Sequence, residues 1–170
     1  RAESRDTVDA LRALGVRVSL ASGDAAGAVA ALAARVGIDA VAAHGAMTPS
    51  EKAAFVAGRA GCAFVGDGLN DAAALAAARP GIAIGGGTDL AKSSADIVLV
   101  GSDLRRIPDA VRLSRRALAV IRQNLAWAFG YNLVLIPLAA MAVLPPVAAS
   151  AAMALSSVSV VANSLRLRRA

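Results

Sequence analysis

The stretch VGDGLNDAAAL (residues 65–75) sets two aspartates, Asp67 and Asp71, four residues apart between an apolar run and an alanine-rich one, with Gly66 and Gly68 on either side of the first. The apolar run reads as a strand, the alanines as a helix, and the glycines as a loop that permits close backbone approach and unusual dihedrals. Asp67 then stands at a strand end and Asp71 in the first turn of the following helix. Two carboxylates gathered in this way suit a hard cation, and Mg2+ held by one or two carboxylates plus a phosphate is the usual arrangement. Taken alone, the stretch reads equally well as a capped helix preceded by a glycine turn.

Outward from it, short apolar runs alternate with helical patterns from residue 1 to about residue 103. VRVSLASGD reads as strand and loop, AGAVAALAARVG as a helix closed by Gly37, and IDAVAA as a strand. TPSEKAAFVAGRAG reads as a helix with Thr48 or Ser50 at its N-cap, and CAFVGDG, GIAIG and DIVLV as further strands. Strands alternating with helices define a parallel sheet with covered faces, an α/β fold. The working edge of such a sheet lies beyond the carboxyl ends of its strands. Ser22, Gly23 and Asp24 follow one strand there, Gly66 to Asp71 follow another, and Lys52 is borne on a helix between them. That conjunction favours the metal and phosphate reading over the cap.

The 170 residues are 57% apolar, against a usual value of roughly 45 to 50%, and the excess lies toward the C-terminus. The net charge of +6 comes with only three Phe, one Tyr and one Trp, so there is no aromatic interleaving for base stacking and no nucleic-acid partner is expected. Cys62 is the sole cysteine, which excludes an internal disulfide or cysteine metal cluster, and it reads as a small core residue. His44 reads as a loop or structural histidine. The first residues, from Arg1, show no signal-peptide pattern, and the expectation is the tail of a longer protein.

Residues 123–165, 43 in all, contain no Asp, Glu, Lys or Arg. One membrane helix needs about 20 residues, so two helices at about 124–143 and 147–165 fit, with the turn at LPP (144–146). Arg115, Arg116 and Arg122 precede the span and Arg166, Arg168 and Arg169 follow it, which places both ends in the cytoplasm. Trp127 suits an interface anchor, and Pro137 predicts a kink. Met153 and Ser157 are i and i+4 on one helix face with Ser156 beside them, and Tyr131 and Asn132 are placed to face them across the hairpin. A thioether with oxygen and nitrogen donors favours a soft ion such as Cu(I), whereas small polar residues also serve simply to let helices pack.

Taken in order, SGD, TPSEK, GDGLNDAAAL, GIAIGGGTDLAKSSADIVLV, IRQNLAWAFGYN and MALSSVSVVANSLRLR resemble the C-terminal part of a heavy-metal-translocating P-type ATPase of the copper-exporting type. The resemblance implies a haloacid-dehalogenase-like phosphorylation domain in which ATP phosphorylates an aspartate and drives membrane helices between two states. It gives Asp67 as the Mg2+ ligand, with Asn70 and Asp71 supporting the phosphate and metal site, and Lys52 as the cation on the phosphoryl oxygens. Ser22 replaces the more common threonine of that loop, with Gly23 and Asp24 completing it. Tyr131, Asn132, Met153 and Ser157 match the pattern for transported Cu(I) or Ag(I). The sequence departs from the family in lacking the nucleophile motif DKTGT and the intramembrane CPC motif. The implied division is residues 1–104 as the C-terminal part of the phosphorylation domain and 105–122 as a basic connecting helix. Residues 123–165 follow as two transmembrane helices and 166–170 as a cytoplasmic basic tail.

The expected partners are the lipid bilayer, the remainder of the pump (nucleotide-binding domain, actuator domain and earlier helices) and a copper chaperone. The location is a bacterial plasma membrane, spanned more than once. Without the nucleophile strand the sheet should have a gap or an exposed edge near its centre, and the isolated chain should be inactive. Two alternatives are a membrane-anchored phosphatase of the same superfamily and a non-catalytic metal-binding or partner subunit.

Overall fold

The computed structural model describes residues 3–86, 88–143 and 145–169. The chain divides into two units, Arg1–Pro108 and Asp109–Ala170.

The first unit is built of short strands between alanine-rich helices. Helix α1 (Ser4–Ala13) buries Thr7, Val8 and Leu11, which repeat at helical spacing. Strand β1 (Leu20–Ala21) leads to helix α2 (Ala26–Val36), which ends on Gly37 in the left-handed conformation at φ 79° that glycine adopts without penalty. The run IDAVAA, expected as a strand, departs from that reading. Residues Ala40–Ala42 form a 3-10 turn in which the Ala42 N–H donates to the Asp39 carbonyl at 2.9 Å, and only Ala43–His44 pair as strand β2. Val41, the β-branched residue of the turn, is exposed and has no neighbouring strand to pack against, so the local turn wins. Helix α3 (Pro49–Ala57) follows, then strand β3 (Phe64–Gly66) and a 3-10 turn (Leu69–Asp71) running into helix α4 (Ala72–Ala77). Strand β4 (Gly81–Ile84), helix α5 (Asp89–Ser93) and strand β5 (Ile97–Leu99) complete the unit.

All strand pairings are parallel, but they form two sheets rather than one, β1–β2 and β3–β4–β5. Among the described residues no strand joins the two, and a gap of this kind was the expectation from the sequence. Strand β4 is buried at all four positions, as the middle strand of a parallel sheet should be. The core on this sheet is made of small residues that let the layers approach closely. Leu75, Ala83 and Ala91 form one cluster, and Val56, Ala74 and Ala78 another, with Cys62 packed against the second. A Cβ at Gly81 would lie 2.2 Å from the Leu75 carbonyl oxygen, so only glycine fits where β4 passes under α4.

The second unit is mainly two helices. The basic stretch and the following uncharged residues share one continuous helix, α6 (Arg106–Ala140, 35 residues), which contains Pro137. Helix α7 (Pro146–Leu165) has 20 residues, about 30 Å at 1.5 Å per residue, and a 3-10 turn (Arg166–Arg169) ends the described chain. Of the turn expected at 144–146, Leu144 lies outside the described residues. Among the described residues one helix, Val147–Leu165, is long and apolar enough to cross a membrane. The second half of α6 is uncharged, yet Gln123, Asn124, Gly130, Tyr131, Asn132 and Pro137 lower its hydropathy.

The helices are antiparallel, and side-chain amides join the middle of α6 to the C-terminal end of α7. The Asn163 amide donates to Asn124 Oδ1 at 2.9 Å and to Gln123 Oε1 at 3.2 Å, and the Asn124 amide donates to Ser164 Oγ at 2.9 Å. From this clasp the half-buried positions continue as Ala128, Tyr131, Leu135 and Leu138 on α6 and as Ser159, Ser156, Ala152 and Ala149 on α7. Three- and four-residue steps on both helices mark one seam, lined on α7 by Ala and Ser.

Candidate functional site

The opening stretch folds as a strand end, a loop and a helix start. Asp67 is exposed just past β3, and its carbonyl accepts the Thr88 N–H at 3.1 Å. Asp71 precedes α4 but makes no side-chain cap bond there. Its Oδ1 instead accepts a hydrogen bond from Lys52 Nζ at 2.9 Å. The carboxylate thus serves an ion pair rather than a side-chain cap of α4. The pair is held in a dry setting, with the Lys52 side chain 9% exposed and that of Asp71 17%. Gly66 makes room for it, because a Cβ there would fall 2.8 Å from Asp71 Cβ and 2.9 Å from Oδ2.

Lys52 is aimed by the start of α3. Thr48 forms a full capping box: its Oγ1 accepts the Glu51 N–H at 3.2 Å, while its own N–H donates to Glu51 Oε2 at 2.8 Å. The Thr48 backbone N–H, and after it the Thr48 hydroxyl, hold the Glu51 carboxyl below its ordinary value. Pro49 takes the first helical turn, where its missing N–H costs nothing. Of the two expected caps, Thr48 is the one used. Lys52 follows Glu51 directly and turns inward as Glu51 stays outside.

A second cluster forms around Ser22. Its hydroxyl donates to Asp24 Oδ2 at 2.9 Å and accepts the Asp24 N–H at 3.2 Å. The loop after β2 holds this turn from behind: the Ser22 N–H donates to the His44 carbonyl at 2.9 Å, and Met47 N–H to the Ser22 carbonyl at 3.0 Å. Ala46, at the positive φ of 54°, donates its N–H to the Asp24 carbonyl at 2.6 Å. His44 is structural, its ring 4.6 Å from that of Phe55. Gly23 and Asn70 are exposed.

The donor set fits a magnesium ion on chemical grounds. Asp67 and Asp71 offer hard oxygen ligands, and among the described residues no three His, Cys, Asp or Glu side chains gather into a cage. Mg2+ suits such an incomplete site, since it takes its remaining ligands from phosphate and water. Asp71 shares its charge with Lys52, and Asp67 stands exposed just past β3, where a cation can reach it.

In the second unit the four residues matched to Cu(I) do not converge on one another. Tyr131 lies on the seam, whereas Asn132, Met153 and Ser157 are exposed on other faces. Met153 and Ser157 do share a side of α7, and the Ser157 hydroxyl donates to the Met153 carbonyl at 3.1 Å. Ser156, rather than Ser157, occupies the seam.

One residue beside the site and one at the opposite end of its sheet were not singled out from the sequence. Thr88 caps α5, its hydroxyl accepting the Ala91 N–H at 3.3 Å, and ties that helix to Asp67 through its own N–H. Thr followed by Asp before a helical run is a cap signal that was available. Asp96 Oδ2 accepts the Gly81 N–H at 2.9 Å and fixes the start of β4, and nothing local in the sequence announces that long-range bond.

Parallel strands carry Asp67 past the end of β3 and Asp71 before α4, paired with Lys52 of α3, and the family model for haloacid dehalogenase-like hydrolase matches residues 1–79, which makes this unit haloacid-dehalogenase-like. A copper-exporting P-type ATPase of Staphylococcus aureus (strain JH9) is 48% identical over 171 residues, covering 98% of this chain and 21% of the relative. A crystal structure of a zinc-transporting PIB-type ATPase in the E2.Pi state superposes with a TM-score of 0.92 at 35% identity. That match covers 98% of this chain and 28% of the other. The catalytic domain of a CPx-ATPase matches at a TM-score of 0.59 and 30% identity, over 65% of this chain and 45% of that one. The chain is therefore a homologue of the heavy-metal-translocating P-type ATPases, and it spans about a fifth of the length of the curated relatives it matches.

Proposed function

We propose that this chain acts as part of an ATP-driven pump for Cu(I) or Ag(I), supplying one side of its magnesium and phosphate site and a membrane hairpin. The observation that carries the reading is the buried Lys52–Asp71 pair at the carboxyl end of β3, in a chain so similar to copper exporters. In this role the nucleophile is an aspartate on a segment outside this sequence. Its carboxylate attacks the γ-phosphorus of ATP, ADP leaves, and water later releases inorganic phosphate. Lys52, held in place by Asp71, presents its ammonium to the phosphoryl oxygens as negative charge develops on them. Asp67, supported by Asp71, holds Mg2+, whose charge offsets that of the phosphate. Ser22, Gly23 and Asn70 supply hydrogen-bond donors, and Asp24 fixes the Ser22 hydroxyl.

Both α7 and the uncharged half of α6 cross the bilayer, with the arginine-flanked ends and the first unit in the cytoplasm. Tyr131, Asn132, Met153 and Ser157 contribute to the path of the metal. Because Asn132, Met153 and Ser157 lie on exposed faces, they complete that path with helices from the rest of the pump rather than with each other. The absence of any Asp, Glu or Lys between residues 123 and 165 supports a soft ion over zinc. Nucleotide-binding and actuator domains, earlier helices and a copper chaperone are the partners this role requires.

Purified chain incubated with Mg2+ and γ-labelled ATP should take up no acid-stable phosphate. Labelling that disappears in Asp67→Ala would overturn the assignment of the nucleophile to another segment. Within the intact pump, Met153→Leu should weaken metal-stimulated turnover and leave phosphorylation by inorganic phosphate in place. Unchanged metal dependence would remove Met153 from the path.

A further inference from the structure

The net charge of the chain is carried entirely by its second unit. Residues 109–170 hold seven arginines and a single acid, Asp109, whereas the first 108 residues balance eleven basic residues against eleven acidic ones. Asp109 is itself occupied, accepting from Arg112 at 2.7 Å. Arg116 and Arg166 lie beside the amide clasp that joins the helices.

At that end lies a pocket of about 140 Å³, lined by Arg116, Ala119, Val120, Gln123, Arg166 and Leu167. It is several times the roughly 30 Å³ that a water molecule occupies in the liquid. Its lining residues include two arginines and a glutamine beside the apolar Ala119, Val120 and Leu167. Arg166 is steadied by a bond from its NH1 to Asn163 Oδ1 at 3.3 Å, which leaves most of its five donors for a ligand. Asn163 and Gln123 belong to the clasp, so the pocket's shape is fixed by the pairing of α6 with α7. Two arginines and an amide next to apolar side chains, at the border of an uncharged span, are complementary to a phosphate that carries acyl chains.

We propose that this pocket binds the phosphate headgroup of an anionic phospholipid, with Arg116 and Arg166 on the phosphate oxygens, Gln123 as a further donor, and Ala119, Val120 and Leu167 against the start of the acyl chains. The proposal rests on the reading of the hairpin as membrane-spanning. Paired guanidinium groups suit tetrahedral phosphate oxygens, and basic pockets between helices at the cytoplasmic boundary recognise headgroups by the same chemistry. A lipid held there would brace the two helices at the root of the hairpin.

The test uses the whole chain in nanodiscs of neutral phosphatidylcholine carrying a small fraction of phosphatidylglycerol, with bound lipid counted by native mass spectrometry after release. Wild type should retain phosphatidylglycerol over phosphatidylcholine. Arg116→Gln and Arg166→Gln should each lower that retention roughly fivefold, and Arg122→Gln, the same charge change outside the pocket, should not. Equal loss in Arg122→Gln would mean diffuse surface charge and overturn the site, as would equal retention of both lipids. Suppression by millimolar inorganic phosphate with no lipid selectivity would assign the pocket to free phosphate and overturn the lipid proposal. Arg116→Lys combined with Arg166→Lys keeps the charge and should retain most of the preference, whether or not the glutamine variants fold. Flotation with neutral vesicles separates the two layers of the argument: a chain that does not float refutes the membrane reading, and the lipid site with it. A chain that floats without headgroup preference refutes the site alone.

Discussion

Lys52→Met should be the most damaging single change to the first unit. The ion pair to Asp71 is 2.9 Å long, with the two side chains 9% and 17% exposed, so removing the lysine leaves a carboxylate largely shut off from water. Breaking a buried pair in this way costs about 3 to 5 kcal/mol, and the residual exposure of Asp71 argues for the lower end, about 3 kcal/mol. At about 1.4 kcal/mol per factor of ten, that is a hundredfold or more in the population of opened molecules. Cys62 provides the readout. It is the sole cysteine, half-buried against Val56, Ala74 and Ala78, between the helices that Lys52 and Asp71 join. Thiol labelling of the full chain in micelles should therefore run about a hundredfold faster in Lys52→Met than in wild type. Asp71→Asn, which keeps an acceptor for the ammonium, should accelerate it less. The double variant Lys52→Met with Asp71→Leu, which removes both charges, should recover much of the protection. A labelling rate in Lys52→Met within threefold of wild type, or a double variant no better than the single, would refute the reasoning.

Other outcomes follow from the same geometry. Gly66→Ala should displace the Asp71 carboxylate by pushing a methyl to within 3 Å of it, and should cost about 1 to 3 kcal/mol in the same labelling assay. Gly81→Ala meets the Leu75 backbone rather than a movable side chain, and should be the worse of the two. Thr48→Ala should cost about 1 kcal/mol through loss of the α3 cap, seen as faster amide exchange in the first turn of that helix. Because the folded Glu51 carboxyl is held below its ordinary value, its contribution is fully present above the ordinary carboxylate range and is lost as pH falls through the depressed folded value. Acidification should therefore speed exchange in that turn in wild type and leave Glu51→Gln insensitive. Asn163→Leu removes two interhelical bonds and should weaken the hairpin by about 0.6 kcal/mol for each, as read by detergent unfolding followed through Trp127.

What was legible in the sequence was the alternation and the punctuation. Gly37 closes α2, Thr48 opens α3, and the stretch 65–75 places its aspartates at a strand end, all through rules that act over a few residues. The strand expected over IDAVAA shrank to its last residue because Val41 is left exposed with nothing to pair against, a matter of tertiary context that no local pattern contains. The partner of Asp71 lies 19 residues away. Its carboxylate could have capped α4, and only the fold shows that Lys52 claims it. In the hairpin, the i and i+4 spacing of Met153 and Ser157 was correctly read as one face, but spacing alone does not say which face turns inward. The amide clasp decides that by setting the rotation of the two helices, and it puts Tyr131 and Ser156 on the seam.

The central claim is that this chain works within a copper-dependent, ATP-phosphorylated pump. Membranes containing the protein in its native form should be incubated with γ-labelled ATP and Mg2+, with Cu(I) present or chelated, and the acid-stable label traced with an antibody to the arginine-rich C-terminus. The account predicts label that requires Cu(I), is cleaved by hydroxylamine as an acyl phosphate should be, and sits on a polypeptide several times heavier than 16.9 kDa. Label on a band of 16.9 kDa, or label indifferent to Cu(I), would contradict it.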